Sequence, residues 1–261
     1  MAAPLPRIWG MLLLTVLARL DIALGVSTRN IYQKSSSRIT ALDVQDTQGP
    51  TLLVPIELFV MSRCPDARRA EARFDEVLAV VHSIAQIRTI YIADEANNGS
   101  IVCKHGPIEC AGDVQQLCAQ RYGGQDPADG SNFGWSFLMC QNQRFNDVGS
   151  PELAATCLKT SLFPNHIADK VRSCWSGEEG AQLLQVSAAE ARRRGAQRSC
   201  TIFVGGTYRC THDGAQWYDC PGGPEVSDFV RTVCEEYKRL SGVWRSDICG
   251  PEGGAGDDDD K

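Results

Sequence analysis

The sequence predicts an α/β fold in which a β-α-β unit and a β-β-α unit bracket a helical, disulfide-rich insertion. Three observations support this prediction: two strand-like runs enclose a helical stripe, a second pair of strand-like runs precedes another helical stripe, and twelve cysteines are spread along the chain. The chain has 261 residues, 43% of them hydrophobic, which suffices for one good-sized core. One principal domain is therefore expected.

The first unit begins with a nearly continuous apolar run, residues 52–60, which has the character of a buried strand. Apolar residues then recur three or four positions apart over residues 67–85, which indicates an amphipathic helix of about five turns. Pro65 suits the first helical position and Cys64 the cap. Residues 86–92 are predicted as a second strand, so a cysteine stands at the strand-to-helix turn.

The second unit begins with a hairpin. Residues 201–204 and 207–210 are separated by Gly205-Gly206, which is typical of a two-residue turn. A further helical stripe follows Pro224. The order β-α-β followed by β-β-α is that of the thioredoxin fold, which by itself does not establish a chemistry.

The intervening stretch, about residues 93–199, is long for a crossover and carries its own cysteines. We interpret it as the helical, disulfide-bonded insertion. One helix is expected to begin at Ser150-Pro151, and another to cover residues 180–194 and end at Gly195.

The N-terminus has the pattern of a signal peptide, predicted as residues 1–25. Arg7 is followed by an apolar run over residues 9–18 and by a small-x-small cleavage site at residues 23–25. The apolar run is too short to span a bilayer, and charged residues directly after it disfavour a signal anchor. We therefore expect no membrane span after signal cleavage, and a location in the secretory pathway, either secreted or in a lysosomal or vacuolar lumen.

A secretory route explains the cysteine content, because thiols pair in an oxidising compartment. The sequon Asn98-Gly99-Ser100 fits the same route and predicts a surface loop. Residues 26–50 are predicted as a flexible leader, residues 51–249 as the folded domain, and residues 250–261 as a flexible acidic tail that resembles a tag. The net charge of -6 disfavours nucleic-acid binding.

Cys64 is the first candidate catalytic residue. The N–H groups and the dipole at the start of a helix favour a thiolate, which is the nucleophile in disulfide exchange. In the usual redox design a second cysteine stands three residues further on, but this sequence has Ala67 there. A dithiol cycle within the motif is therefore excluded. The competing interpretation is that Cys64 is one more structural half-cystine.

Cys200 is the second candidate. In thioredoxin-like folds the residue that opens the third strand faces the active-site turn and is commonly a cis-proline, whereas this sequence has Cys200 at that place. We expect Cys200 to lie near Cys64, where it either pairs with it permanently or serves as a resolving thiol.

The segment Cys103-Lys104-His105-Gly106-Pro107-Ile108-Glu109-Cys110, followed by Cys118, combines residues that zinc also prefers. Its spacing is unlike that of common zinc pairs, so we expect no metal and a tight loop around Gly106-Pro107 with stapled cysteines. The pattern resembles the signature of the gamma-interferon-inducible lysosomal thiol reductases, which begin it with Cys-Gln-His-Gly. Thinner similarity extends from Pro55 to about Lys238.

The resemblance implies a thioredoxin-like reductase that cleaves disulfides of protein substrates in an acidic compartment, with no cofactor and with a small thiol as a candidate reductant. Members of this family use a Cys-x-x-Cys pair. This sequence keeps the first cysteine as Cys64 and departs from the pattern at Ala67 and at Cys200. His105 is interpreted as a loop residue rather than as an acid-base group.

Two functions remain open at this point. In the first, which we favour, Cys64 attacks a substrate disulfide and a second thiol, from Cys200 or a small molecule, completes the cycle. In the alternative, the protein is a catalytically inactive relative that binds a protein partner. A replacement engineered at Ala67 to trap mixed disulfides is disfavoured, because the surrounding residues do not form an otherwise intact family motif.

Overall fold

The computed structural model describes residues 52–252. The predicted signal peptide, the predicted leader and residues 253–261 of the predicted tail lie outside the described residues. Within residues 52–252, no helix is both long and apolar enough to cross a membrane.

A five-stranded sheet forms the centre of the fold. Its strands are ordered β2-β1-β5-β6-β7; β1 and β2 are parallel, and the other neighbouring pairs are antiparallel. The bounds are β1 Val54–Val60, β2 Ala85–Tyr91, β5 Thr201–Val204, β6 Thr207–Asp213 and β7 Gln216–Tyr218. This is the thioredoxin-like arrangement that the element order predicts, with β7 as an additional strand at one edge.

The helix that follows β1 is α1, Pro65–Val81, with Cys64 at its N-cap and Pro65 at N1. Its buried face includes Phe74, Val77 and Val81, which belong to the main core together with the inward side chains of β1. The last helix of the second unit is α7, Val226–Ser241, and Phe229 of α7 packs against Phe74 with ring centroids 4.8 Å apart. A short helix, α8 Ser246–Cys249, ends the described chain.

The insertion is helical, as predicted. Between β2 and β5 it contains a two-stranded ribbon of β3 Asp94–Glu95 and β4 Ile101–Val102, and the helices α2 Pro107–Tyr122, α3 Phe133–Gln143, α4 Pro151–Thr160, α5 Asn165–Ser176 and α6 Glu178–Arg193. Ser150 caps α4 by accepting a hydrogen bond from the N–H of Leu153, so the predicted start of that helix is correct.

The structure differs from the expected tight loop at Gly106-Pro107. Gly106 adopts a positive φ of 87° and turns the chain, but Pro107 then begins the sixteen-residue helix α2. The buried residues of α2 include Glu109, Asp113 and Gln116. Because its buried face is largely polar, α2 lacks the apolar stripe by which helices are recognised in a sequence.

All twelve cysteines lie within the described residues, and ten of them form five disulfides. The pairs are Cys103–Cys110, Cys118–Cys174, Cys140–Cys157, Cys210–Cys220 and Cys234–Cys249. Three of these disulfides staple the insertion, as expected. Cys64 and Cys200 are free and buried.

Candidate active site

Cys64 lies directly after β1 and caps α1. Cys64 is 9% exposed to solvent. Its thiol donates a long hydrogen bond, of 3.6 Å, to the backbone oxygen of Ser199. The backbone N–H of Met61 donates to Ser199 Oγ at 3.0 Å. These two contacts hold the Cys64 turn against the segment that leads into β5.

Ala67 occupies the position of the second cysteine in a Cys-x-x-Cys motif. It is 1% exposed and packs in the main core with Ala70, one helical turn further along α1. Cys64 therefore has no thiol partner within its own helix.

Cys200 lies immediately before β5, the strand that pairs with β1. It is fully buried, its backbone exchanges hydrogen bonds with His212, and the Ser199–Cys200 peptide bond is cis. Burial raises the pKa of the Cys200 thiol well above its ordinary value, and the charges of Glu71, Cys64 and Asp66 raise it further. Because Cys64 Sγ contacts the backbone oxygen of Ser199, the two free cysteines lie in neighbouring segments.

Two arginines near Cys64 in the sequence make contacts with the insertion. The guanidinium of Arg63 donates to the backbone oxygens of Asn146 at 3.0 Å and Val148 at 2.7 Å. That of Arg68 lies over the ring of Phe145. Both side chains thus join the turn to the insertion, a role that the sequence alone did not indicate.

A buried carboxylate connects the signature segment to the Cys64 turn. Glu109 is fully buried; its Oε2 accepts a hydrogen bond from the N–H of Arg63 at 3.3 Å, and its Oε1 accepts one from the N–H of His105 at 3.0 Å. The ring Nδ1 of His105 also contacts Glu109 Oε2, at 2.5 Å. His105 is thus connected to the residue before Cys64 through Glu109.

Asp113, one turn further along α2, makes a second connection. Its Oδ1 accepts a hydrogen bond from the N–H of Ser62 at 2.9 Å, and Ser62 Oγ donates to the backbone oxygen of Glu109 at 3.1 Å. Burial raises the pKa of Asp113 well above its ordinary value, although the Ser62 hydrogen bonds oppose this effect. The two residues before Cys64 are thus both anchored to α2.

Asp66 anchors the other side of the turn. Its carboxylate accepts hydrogen bonds from the N–H groups of Gly214 at 3.0 Å and Ala215 at 2.8 Å, in the turn between β6 and β7. His212 Nδ1 lies 3.2 Å from Asp66 Oδ1, and burial lowers the pKa of this histidine.

Glu71 is a third buried acid, two turns after Cys64 on α1. It is 3% exposed, its Oε2 accepts a hydrogen bond from Asn142 Nδ2 at 2.6 Å, and its Oε1 is buried without a hydrogen-bond partner. Burial raises its pKa to about 7. In the sequence Glu71 resembles any polar helical residue, and only its position on the apolar face of α1 distinguishes it.

The family model described as "Gamma interferon inducible lysosomal thiol reductase (GILT)" matches residues 55–161 of this chain. That segment contains β1, the Cys64 turn, the signature segment and the first helices of the insertion. No curated protein matches the chain.

The chain is also similar to solved structures at low identity. The oxidoreductase NmDsbA1 from N. meningitidis shares 13% identity with a TM-score of 0.45, covering 74% of this chain and 86% of that chain. The oxidoreductase DsbA from Xylella fastidiosa shares 13% identity with a TM-score of 0.46, and the match covers 75% of this chain and 90% of that chain. The MdbA protein, a thiol-disulfide oxidoreductase from Actinomyces oris, shares 10% identity with a TM-score of 0.48, and the match covers 74% of this chain and 82% of that chain.

These likenesses concern the overall fold and assign no residue of this chain. The motif residues and the match over residues 55–161 carry the assignment instead. Residues 55–161 of the chain thus carry a domain of the gamma interferon inducible lysosomal thiol reductase family, in which Cys64 stands where the family motif has its first cysteine and Ala67 where it has its second.

Proposed function

We propose that this protein is a thiol oxidoreductase that reduces disulfides of protein substrates with Cys64 as the attacking thiol and Cys200 as the resolving thiol. The family assignment supports a thiol oxidoreductase in general. The observation that carries the specific proposal is that ten cysteines are paired, while the two free thiols flank the adjacent strands β1 and β5.

In the first step the Cys64 thiolate attacks one sulfur of the substrate disulfide. A Cys64–substrate disulfide forms, the substrate disulfide breaks, and the other substrate sulfur leaves as a thiolate that takes a proton from water. The position of Cys64 at the start of α1, with part of its surface exposed, supports this role.

In the second step Cys200 attacks Cys64 Sγ. A Cys64–Cys200 disulfide forms, and the remaining substrate sulfur leaves as a thiolate. Burial is the main cause of the raised pKa of Cys200, and the charge of a Cys64 thiolate adds to it; only the second effect ends once Cys64 is bound in the mixed disulfide. Ionisation of Cys200 is therefore easier in the intermediate than at rest. Two equivalents of a small thiol then reduce the Cys64–Cys200 disulfide and are released as their own disulfide.

Variants at the two cysteines test this cycle. With a disulfide-bonded protein substrate and no small thiol, Cys200→Ser is expected to accumulate a mixed disulfide that intact-mass measurement detects. Cys64→Ser is expected to form no mixed disulfide. Wild type is expected to release reduced substrate once and to gain a Cys64–Cys200 disulfide. If Cys200→Ser turns over as fast as wild type when glutathione is present, a small thiol resolves the intermediate instead of Cys200.

The alternative of a catalytically inactive, partner-binding protein makes the opposite prediction. In that case wild type and Cys64→Ser show equal, background-level rates at both acidic and neutral pH. Ala67 is the observation that favours it, because the chain lacks the helical partner thiol that its relatives use.

We also propose that the protein acts in the lumen of the secretory pathway, in a lysosomal or vacuolar compartment or after secretion. The five disulfides and the family assignment support an oxidising route of synthesis. Fractionation of cells that express the full chain, with cleavage near Val26 determined by N-terminal sequencing, tests this location.

A further inference from the structure

We propose that the Cys103–Cys110 disulfide is a second redox-active site, which a small-molecule thiol opens by attacking Cys110, and whose opening loosens the Cys64 turn. The opening itself is independent of the proposed Cys64 cycle; its consequence for catalysis rests on that proposed function.

Access favours attack at Cys110. Cys110 is half-buried and lines a surface cavity of about 470 Å³ beside Val114 and Leu184, which Cys103 does not line; both cysteines line a second cavity of about 260 Å³. Cys103 is only 4% exposed. A thiol that reaches Cys110 makes Cys103 the leaving sulfur.

The structure provides an acid for that buried leaving sulfur. Cys103 Sγ lies 3.5 Å from Asp113 Oδ2. Because Asp113 Oδ1 accepts the N–H of Ser62, the proton of a neutral carboxyl belongs on Oδ2, next to the sulfur. The raised pKa of Asp113 supports its neutral form. A carboxylic acid at this position can protonate the Cys103 thiolate as it forms.

The step is balanced with two small thiols, such as glutathione or cysteine. The first, as a thiolate, attacks Cys110 Sγ; the Cys103–Cys110 bond breaks, and the Cys103 sulfur takes the electron pair and the Asp113 proton. The second attacks the mixed disulfide at the small-molecule sulfur, which releases the Cys110 thiolate and one small-molecule disulfide. Asp113 and Cys110 regain protons from the two thiols consumed.

The loop that this disulfide closes carries the contacts to the Cys64 turn. Glu109 and His105 lie inside the loop, and Glu109 holds the N–H of Arg63 while its backbone oxygen holds Ser62 Oγ. Opening the disulfide removes the covalent constraint on the segment that positions the two residues before Cys64.

Three of the other four disulfides also contain one half-buried cysteine, and Cys140 lines a cavity of about 460 Å³, so the surroundings of the buried sulfur rather than access distinguish Cys103–Cys110. Each of the four includes one sulfur from a residue no more than 1% exposed. Within residues 52–252, none of them has a carboxyl at hydrogen-bond distance from its sulfurs. The Cys103–Cys110 pair also closes the shortest loop, with a sequence separation of 7 against 10 to 56 for the others, so its opening costs the folded state the least stability.

Peptide mapping of the wild-type protein tests the site without any turnover assay. The protein is equilibrated with graded glutathione, quenched with acid, and labelled at reduced cysteines. We expect Cys103 and Cys110 to become labelled at a roughly tenfold lower glutathione concentration than the other eight paired cysteines. Labelling of Cys103 and Cys110 together with or after the others overturns the proposal.

Asp113→Asn tests the acid, with the exposed Asp94→Asn as the matched control. Asparagine keeps an oxygen for the N–H of Ser62 but has no acidic proton, so reduction of Cys103–Cys110 is expected to slow by roughly tenfold. Equal rates in wild type and Asp113→Asn contradict the role of Asp113. If Asp113→Asn does not fold, the mapping of wild type still decides whether the disulfide is redox-active.

The effect on Cys64 has its own measurement. We expect the rate of Cys64 alkylation by iodoacetamide to change by roughly fivefold between protein with Cys103–Cys110 closed and protein with it opened. An unchanged rate overturns the coupling. A protein that opens Cys103–Cys110 first but reduces no substrate contradicts the Cys64 cycle alone, whereas turnover with Cys103–Cys110 closed at every glutathione concentration contradicts only the present inference.

Discussion

The carboxylate of Glu109 accepts a hydrogen bond from the backbone N–H of Arg63, 46 residues earlier in the chain. This contact joins the signature segment to the residue immediately before Cys64. The glutamate of the signature therefore has a structural explanation, because it satisfies backbone donors of the Cys64 turn that would otherwise be buried without partners.

Glu109→Gln is expected to destabilise the protein by about 1–3 kcal/mol, because an amide keeps only one acceptor oxygen for the N–H groups of Arg63 and His105. Urea unfolding of wild type and variant measures this difference. The exposed Glu152→Gln is the control and is expected to change stability by less than about 0.5 kcal/mol. Equal midpoints for Glu109→Gln and wild type would show that the contact contributes nothing to stability.

Ala67→Cys is expected to create a working dithiol, because position 67 lies one helical turn from Cys64 on the same face of α1. The double variant with Cys200→Ser should then release reduced substrate without accumulating the mixed disulfide. Single-turnover mass analysis checks this, with Ala67→Ser as the control of similar size. Accumulation of mixed disulfide in the double variant would contradict the expected geometry.

The ionisation of Glu71 is expected to lower the free energy of unfolding as the pH rises. Its pKa is about 7 in the folded protein and near 4.5 when unfolded, so between these values only the unfolded chain loses the proton. Glu71 does not lower the free energy of unfolding below about pH 4.5, where it is protonated in both states. Above about pH 7 it lowers that free energy by roughly 3 kcal/mol. Glu71→Gln, which keeps an acceptor for Asn142, should therefore match wild type at acidic pH and exceed it at neutral pH.

Urea unfolding at about pH 4.5 and about pH 7.5 measures this effect. Asp113 titrates in the same direction but is present in both proteins, so the difference between wild type and Glu71→Gln isolates Glu71. An identical pH dependence of stability in the two proteins would contradict the raised pKa assigned to Glu71.

Asn98 is expected to carry an N-linked glycan. The residue is exposed in the turn between β3 and β4, where its Oδ1 accepts hydrogen bonds from the N–H and the Oγ of Ser100. After expression through the secretory pathway, glycosidase treatment should lower the mass of wild type and leave that of Asn98→Gln unchanged. An unglycosylated wild-type protein would argue against the secretory route.

Local patterns predicted the elements that surround Cys64. The start of α1, the strands β1 and β2, and the β5–β6 hairpin follow from apolar spacing, Pro65 and Gly205-Gly206, and the structure agrees within a few residues. The helix α2 and the short strand β7 were missed, because the buried side of α2 is polar and β7 has only three residues.

The remainder of the candidate site depends on tertiary contacts that no local pattern encodes. The raised pKa of Glu71 and that of Cys200 both arise from burial, which exists only after the insertion and the sheet have packed. The neighbourhood of Cys64 and Cys200 likewise depends on β5 lying beside β1 in the sheet. The sequence could suggest this arrangement only through the order of the thioredoxin fold.

The adjacency of β1 and β5 also concerns the biogenesis of this protein. A Cys-x-x-Cys pair is complete within one helical turn, so a nascent chain already carries it before the domain is formed. Here the two proposed reactive thiols come from distant segments of the chain, on either side of the insertion, and meet only when β5 has paired with β1. A chain that is still acquiring its own five disulfides thus does not yet contain the proposed redox centre, and the proposed reductase activity would begin only when folding is complete.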